Sequence, residues 1–122
     1  MANYNAAVSE VFHALADPTR CAIIGALSSG ALTVSALAAP FDMALPSLMK
    51  HLTVLERSGL IRSHKLGRTR TCELVPQRLS QAEQWIAEQR AVWEARSDRM
   101  VDFVERLHQE EQSNVAKRSR ER

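Results

Sequence analysis

The stretch LPSLMKHLTVLERSGLIRSHKLGRTRTCEL, residues 45–74, decides how the rest of the chain is read. Its first half has a helical period. Leu45, Leu48, Leu52 and Leu55 recur at i, i+3, i+7 and i+10, which predicts one apolar helix face. Pro46 is tolerated because a first-turn N–H has no partner inside the helix. Gly59 marks the end of the helix. Ser47, Lys50, His51 and Val54 line the opposite face. Beyond Gly59 the helical period is lost. Two short strands are predicted, roughly 61–65 and 69–75, around Leu66-Gly67-Arg68. Thr69, Thr71 and Val75 suit strands. Gly67 supplies the positive φ of a tight hairpin turn. Residues 62–71, RSHKLGRTRT, put four Lys/Arg and one His around that turn.

Upstream, Val8, Val11, Phe12 and Leu15 predict a first helix over Ala6–Leu15. Asp17-Pro18 starts a second, with Asp as N-cap and Pro at the first helical position. That helix runs through Ile23, Ile24 and Leu27 to Ser28-Ser29-Gly30, and Gly25 inside it points to a close helix contact. Thr33 can cap a short third helix, VSALAAPF. Downstream, no Gly or Pro interrupts residues 77–112, where a long last helix is expected. Leu79, Ile86, Trp93, Met100 and Leu107 recur every seven residues there, and Phe103 takes a second seam position with Ala82. Gln89 and Arg96 interrupt that second seam, so this is no strict zipper. A helix of ~30 residues is ~45 Å long, more than a small domain covers. Packing against a second copy is the expected solution, and folding back onto its own domain is the alternative. The expected organisation is one domain over residues 1–112 with residues 77–112 as its dimerisation helix, and a disordered basic tail over 113–122.

Charge is unevenly spread. Residues 1–42 carry −2, residues 43–78 carry +5, residues 79–113 carry −4, and residues 114–122 carry +3. A basic middle between acidic flanks points to one surface that meets a polyanion. A helix, a turn and a second helix with a polar, basic outer face make a helix-turn-helix plan, and a basic hairpin after it makes a winged helix. On that reading Ser47, Lys50, His51 and Arg57 serve the helix that enters the groove of double-stranded DNA. Arg62, Lys65, Arg68 and Arg70 serve the wing and the phosphate backbone. A hairpin made charged only to avoid edge aggregation is the competing explanation.

The segments ALADPTR, LTVSALA, LPSLMKHLTVLERSGLIRSHKLGR and TRTCEL together resemble the ArsR-type bacterial winged-helix repressors over about residues 8–75. The resemblance implies a mainly α fold with a small β-hairpin and a homodimer held by the first and last helices. It also implies operator binding by the fourth helix and the wing, and repression relieved by a signal. Three departures stand out. Met49 takes the place of a common Ser before the Lys-His-Leu, Ala44 that of a common Ser N-cap, and Cys72 that of a common aromatic. The C-x-C motif of metal-sensing relatives has no counterpart in VSALAAPF. Only His108 with Glu111 offers ligand-like spacing in the last helix, so no metal or other cofactor is expected. His13 and His64 have no partner motif.

Two cysteines, Cys21 and Cys72, make no disulfide framework. With neither a secretory signal nor an apolar run of membrane-spanning length, a cytoplasmic location is expected. Cys21 lies in a helical first turn beside Arg20, where a thiol-responsive repressor would place its sensor, whereas Cys72 reads as a small packed hydrophobe. No nucleophile, zinc-hydrolase or phosphate-loop motif is present, so an enzyme is not expected. The expected function is a sequence-specific transcriptional regulator, a homodimeric repressor on an inverted-repeat operator. A dimeric protein-interaction module with a basic face is the alternative from another class.

Overall fold

The computed structural model describes residues 2–121. Among these described residues five helices and three strands follow one another. They are α1 (Ala2–Leu15), α2 (Pro18–Leu27), β1 (Leu32–Thr33), α3 (Val34–Ala38), α4 (Leu45–Arg57), β2 (Ile61–Leu66), β3 (Thr69–Leu74) and α5 (Pro76–Arg120). The expected hairpin is part of a three-stranded antiparallel sheet of order β1-β3-β2. β1 pairs Leu32 with Cys72 and Thr33 with Thr71. Two residues are too few to show a period of two, and Thr33 reads as a cap. It serves as both, since its Oγ1 accepts from the Ala36 N–H at 3.2 Å.

The chain divides into two compact units, one up to Trp85 and one from Ile86. In the first unit the apolar stripe of α4 is buried at three of its four leucines, whereas Leu45, in the first turn, is 56% exposed and borders an open groove. Leu48, Leu52 and Leu55 are buried with Val11 of α1, Ile23 and Leu27 of α2, Leu37 of α3, Leu60 of the turn after α4, and Ile61 and Cys72 of the sheet. Each fully buried leucine contributes roughly 1.5–3 kcal/mol. Phe12 and Trp85 meet edge to face at 5.5 Å. Leu79 packs half-buried against this core. Its place in the sequence seam is therefore taken by an intrachain contact. Gly25 is exposed and an added Cβ there would meet nothing, so no close helix contact explains it. The glycine with a tight neighbour is Gly59. Its φ is +79°, and a Cβ would come within 2.7 Å of Arg78.

In the second unit α5 continues to Arg120, so residues 113–120 are helical rather than a disordered tail. No glycine or proline in that segment breaks the turn. Its large apolar side chains stay in solvent, from 47% exposed at Ile86 to 70% at Met100. Trp93, Phe103 and Leu107 belong to the same row. A single helix cannot bury its own face.

Candidate nucleic-acid interface

With Leu48, Leu52 and Leu55 turned inward, α4 exposes Ser47, Lys50, Thr53 and Arg57. Pro46, Lys50, Thr53 and Arg57 border one shallow surface together with Met49 and Val54. Thr53 was not among the residues expected here. Its hydroxyl donates to the Met49 carbonyl at 2.9 Å. Val54, expected on the outer face, is partly buried against the core. Ala44 leaves the start of α4 without a side-chain cap, as its departure from the family pattern implies.

His51 is turned toward the start of α2. The Asp17 carboxylate caps that helix by accepting from the Arg20 N–H at 3.0 Å. The Arg20 guanidinium reaches back to the end of α1, donating to the Ala14 carbonyl at 2.6 Å and the His13 carbonyl at 3.3 Å. It also donates to His51 Nδ1 at 3.2 Å. His51 Nδ1 lies 3.8 Å from Asp17 Oδ2, and the His51 side chain is 22% exposed. The Asp17 carboxyl is held below its ordinary value, chiefly by the Arg20 backbone hydrogen bond and further by the nearby His51. His51 thus ties α4 to α2, and one edge of its ring is already occupied. The sequence signal was ADPTR, whose Asp and Pro are legible as a helix start. The use of its Arg is not, because His51 lies 31 residues further on.

The wing is closed by a two-residue turn, since Leu66 pairs with Thr69. Gly67 has φ +63°, and no non-glycine residue among those described has positive φ, which makes it a type II′ turn. Strand alternation then sorts the side chains. Ile61, Ser63 and Lys65 share one face with Leu74, Cys72 and Arg70, the buried members lying at the base. Arg62, His64 and Leu66 share the other face with Glu73, Thr71 and Thr69. On the first face Arg70 Nε donates to Ser63 Oγ at 3.1 Å, and Ser63 donates in turn to Glu56 at the end of α4. This relay anchors the wing to α4.

On the second face Arg62 and His64 both reach Glu73 Oε1, His64 at 3.0 Å. Their hydrogen bonds, that of Arg62 first, hold the Glu73 carboxyl below its ordinary value. Arg62 is therefore a neutralised cation. Lys50, Arg57, Lys65, Arg68 and Arg70 have no acidic partner among the described residues. Lys65, Arg68 and Arg70 border an open groove of about 810 Å³, whose other wall is formed by α3 and the start of α4.

Cys21 is exposed, with Sγ 3.0 Å from the Leu15 carbonyl oxygen, whereas Cys72 is buried and its thiol is pushed up by that burial. Among the described residues no group of three or more His, Cys, Asp or Glu side chains could hold a metal ion. No described helix is long and apolar enough to cross a membrane.

A family model described as a helix-turn-helix domain matches residues 15–64. The transcriptional repressor SdpR of Bacillus subtilis is 35% identical over 60 residues, covering 49% of this chain and 67% of that relative. The arsenical resistance operon repressor of Escherichia coli is 30% identical over 109 residues, covering 88% of this chain and 91% of the relative. The crystal structure of an ArsR family transcriptional regulator superposes with a TM-score of 0.71 at 54% identity, covering 74% of this chain and 93% of that one. An ArsR-like transcriptional regulator from Rhodococcus sp. RHA1 gives a TM-score of 0.68 at 29% identity, covering 79% and 90%. A helix-turn-helix with a basic wing, matched over nine-tenths of the length of an arsenical-resistance repressor and of an ArsR structure, places the chain: it belongs to the ArsR family of winged helix-turn-helix transcriptional regulators.

Proposed function

We propose that the chain is a homodimeric repressor that binds an inverted-repeat operator in bacterial cytoplasm. One observation carries the reading. The cations of α4 and of the wing's inner face lack acidic partners, whereas Arg62 on the wing's outer face has one. A surface that needed charge only for solubility would have no reason to keep its neutralised cation apart from the free ones. Ser47 and Lys50 meet base edges, while Arg57, Lys65, Arg68 and Arg70 hold phosphates. His51 positions α4 through Arg20. The exposed row on α5 pairs with the same row of a second copy. Twofold symmetry then places half-sites one or two helical turns apart, ~34 Å per turn.

The test is a gel shift of the purified protein against DNA from its own upstream region and against random competitor, at 50 and 200 mM salt. Arg68→Ala weakens binding to every sequence and lowers the salt slope by about 1. Ser47→Ala changes the preferred sequence. Equal loss on specific and random DNA for both variants contradicts base reading. No specific band for wild type under any condition, with retention on an acidic protein instead, establishes the interaction-module reading. The thiol-responsive variant of the proposal rests on Cys21, the exposed cysteine, and predicts loss of the band with oxidant in wild type but not in Cys21→Ser.

A further inference from the structure

We infer that Leu66 is a wedge that the wing drives between base pairs in the minor groove, and that it sets sequence preference at steps no polar side chain reads. The inference rests on the operator-binding reading above. At 86% exposed, Leu66 is the barest large apolar side chain among the described residues. It stands at the last position of β2, paired with Thr69 across the type II′ turn, where the neighbouring side chains are polar. Nothing in the body of the domain needs it there. The alternation of β2 aims it to the face of Arg62 and His64, away from the core face that begins at the buried Ile61.

What surrounds Leu66 identifies its occupant. Arg68 follows it across the turn and Lys65 precedes it, and neither has an acidic partner. Lower on the same face, Arg62 and His64 are held by Glu73, so free charge is gathered at the tip. A protein partner for an apolar side chain offers a contiguous apolar patch, and a lone leucine ringed by cations gives such a patch little to cover. DNA offers the complementary pairing, with phosphates on the outside and apolar base faces within. The scale also fits. Paired strands lie about 4.8 Å apart, and the minor groove is about 6 Å wide. A hairpin tip therefore enters it edge-on. Cations seat the tip on the backbone, and the leucine then gains burial by parting a base step. Pyrimidine–purine steps part most easily, so they are the steps selected.

The test uses the full chain and 40-bp duplexes that the wild-type protein enriches from a random pool, with dye pairs at the two ends to report bending. Leu66→Ser binds an enriched duplex about tenfold more weakly and bends it less. Its salt slope is unchanged because no charge is lost. Leu66→Met restores both affinity and bend. Replacing the central TA or CA step of the contacted minor groove by AA weakens wild type but leaves Leu66→Ser nearly unaffected. The wedge is overturned if Leu66→Ser matches wild type in affinity and in end-to-end distance, while the operator reading stands. If wild type enriches no sequence at all, the operator reading falls and the wedge falls with it.

Discussion

Leu55 on α4 and Met100 on α5 both sit in an apolar helical stripe, yet Leu55 is fully buried and Met100 is 70% exposed. From Leu48 to Leu55 the stripe of α4 is buried in the core shared by α1, α2, α3 and the sheet, so one chain supplies the surface these leucines need. The stripe of α5 beyond Ile86 has no such neighbours in its own unit. The same sequence pattern therefore has two energetic meanings. In the body it specifies a fold, at a gain independent of concentration. On the distal helix it leaves apolar surface exposed within its own unit, and under the homodimer proposal that surface is buried by a second chain, at a gain that grows with concentration.

The contrast breaks most sharply under truncation. Leu55→Ala opens a cavity where the surrounding side chains are locked by packing, at a cost of about 2–5 kcal/mol. In urea titrations its midpoint falls by the same amount at 1 and 100 μM protein. Trp93→Ala leaves no cavity in its own unit, and its loss of stability relative to wild type is larger at 100 than at 1 μM protein, shrinking as dilution dissociates the wild-type dimer. If both variants respond alike to dilution, the two stripes are not different in kind.

Met100→Asp sharpens the same comparison at one residue. A carboxylate at the centre of an apolar seam is desolvated without a partner, which costs several kcal/mol per pair of chains. In sedimentation at micromolar concentration the variant is monomeric, and operator affinity falls because each monomer holds one half-site. The circular dichroism of the body is kept. A dimer of full strength in this variant places the seam elsewhere.

These two regions also mark where sequence reasoning reaches and where it stops. Leu48, Leu52 and Leu55 of α4, the Asp17-Pro18 helix start and the Gly67 turn are local. Spacing along a few residues determines each of them, and each stands as read. Other features depend on distance in the fold. β1 exists because Cys72 and Thr71 arrive beside Leu32 and Thr33. Leu79 fits the seven-residue period as well as Ile86 does, but the core reaches it first. Arg62 and Arg70 look equivalent in a basic run, until the cross-strand register sets Glu73 against one and leaves the other to Ser63. His51 reads as a base reader from the sequence alone, and the fold sets its Nδ1 3.2 Å from the Arg20 guanidinium. In each case residue type and local period were correct, and the partner was a tertiary fact.

The smallest predicted effect concerns that tie. Asp17 holds its carboxyl below the ordinary value by accepting from the Arg20 N–H, with His51 close behind. A depressed folded pKa means that ionised Asp17 lends stability above the unfolded value, around pH 4. That contribution is lost as pH falls through the folded value, when the carboxyl must be protonated. Asparagine caps a helix about as well as aspartate, so Asp17→Asn keeps the cap and removes only the charge. In thermal melts wild type is slightly more stable than the variant at neutral pH, and the gap closes as acid is added below pH 4. High salt narrows the gap at neutral pH, because the pairing with the Arg20 guanidinium is partly solvated. A gap that stays constant from pH 7 to pH 2 would show that the carboxylate acts through its shape alone, and that α4 is set on the body by packing without help from this charge.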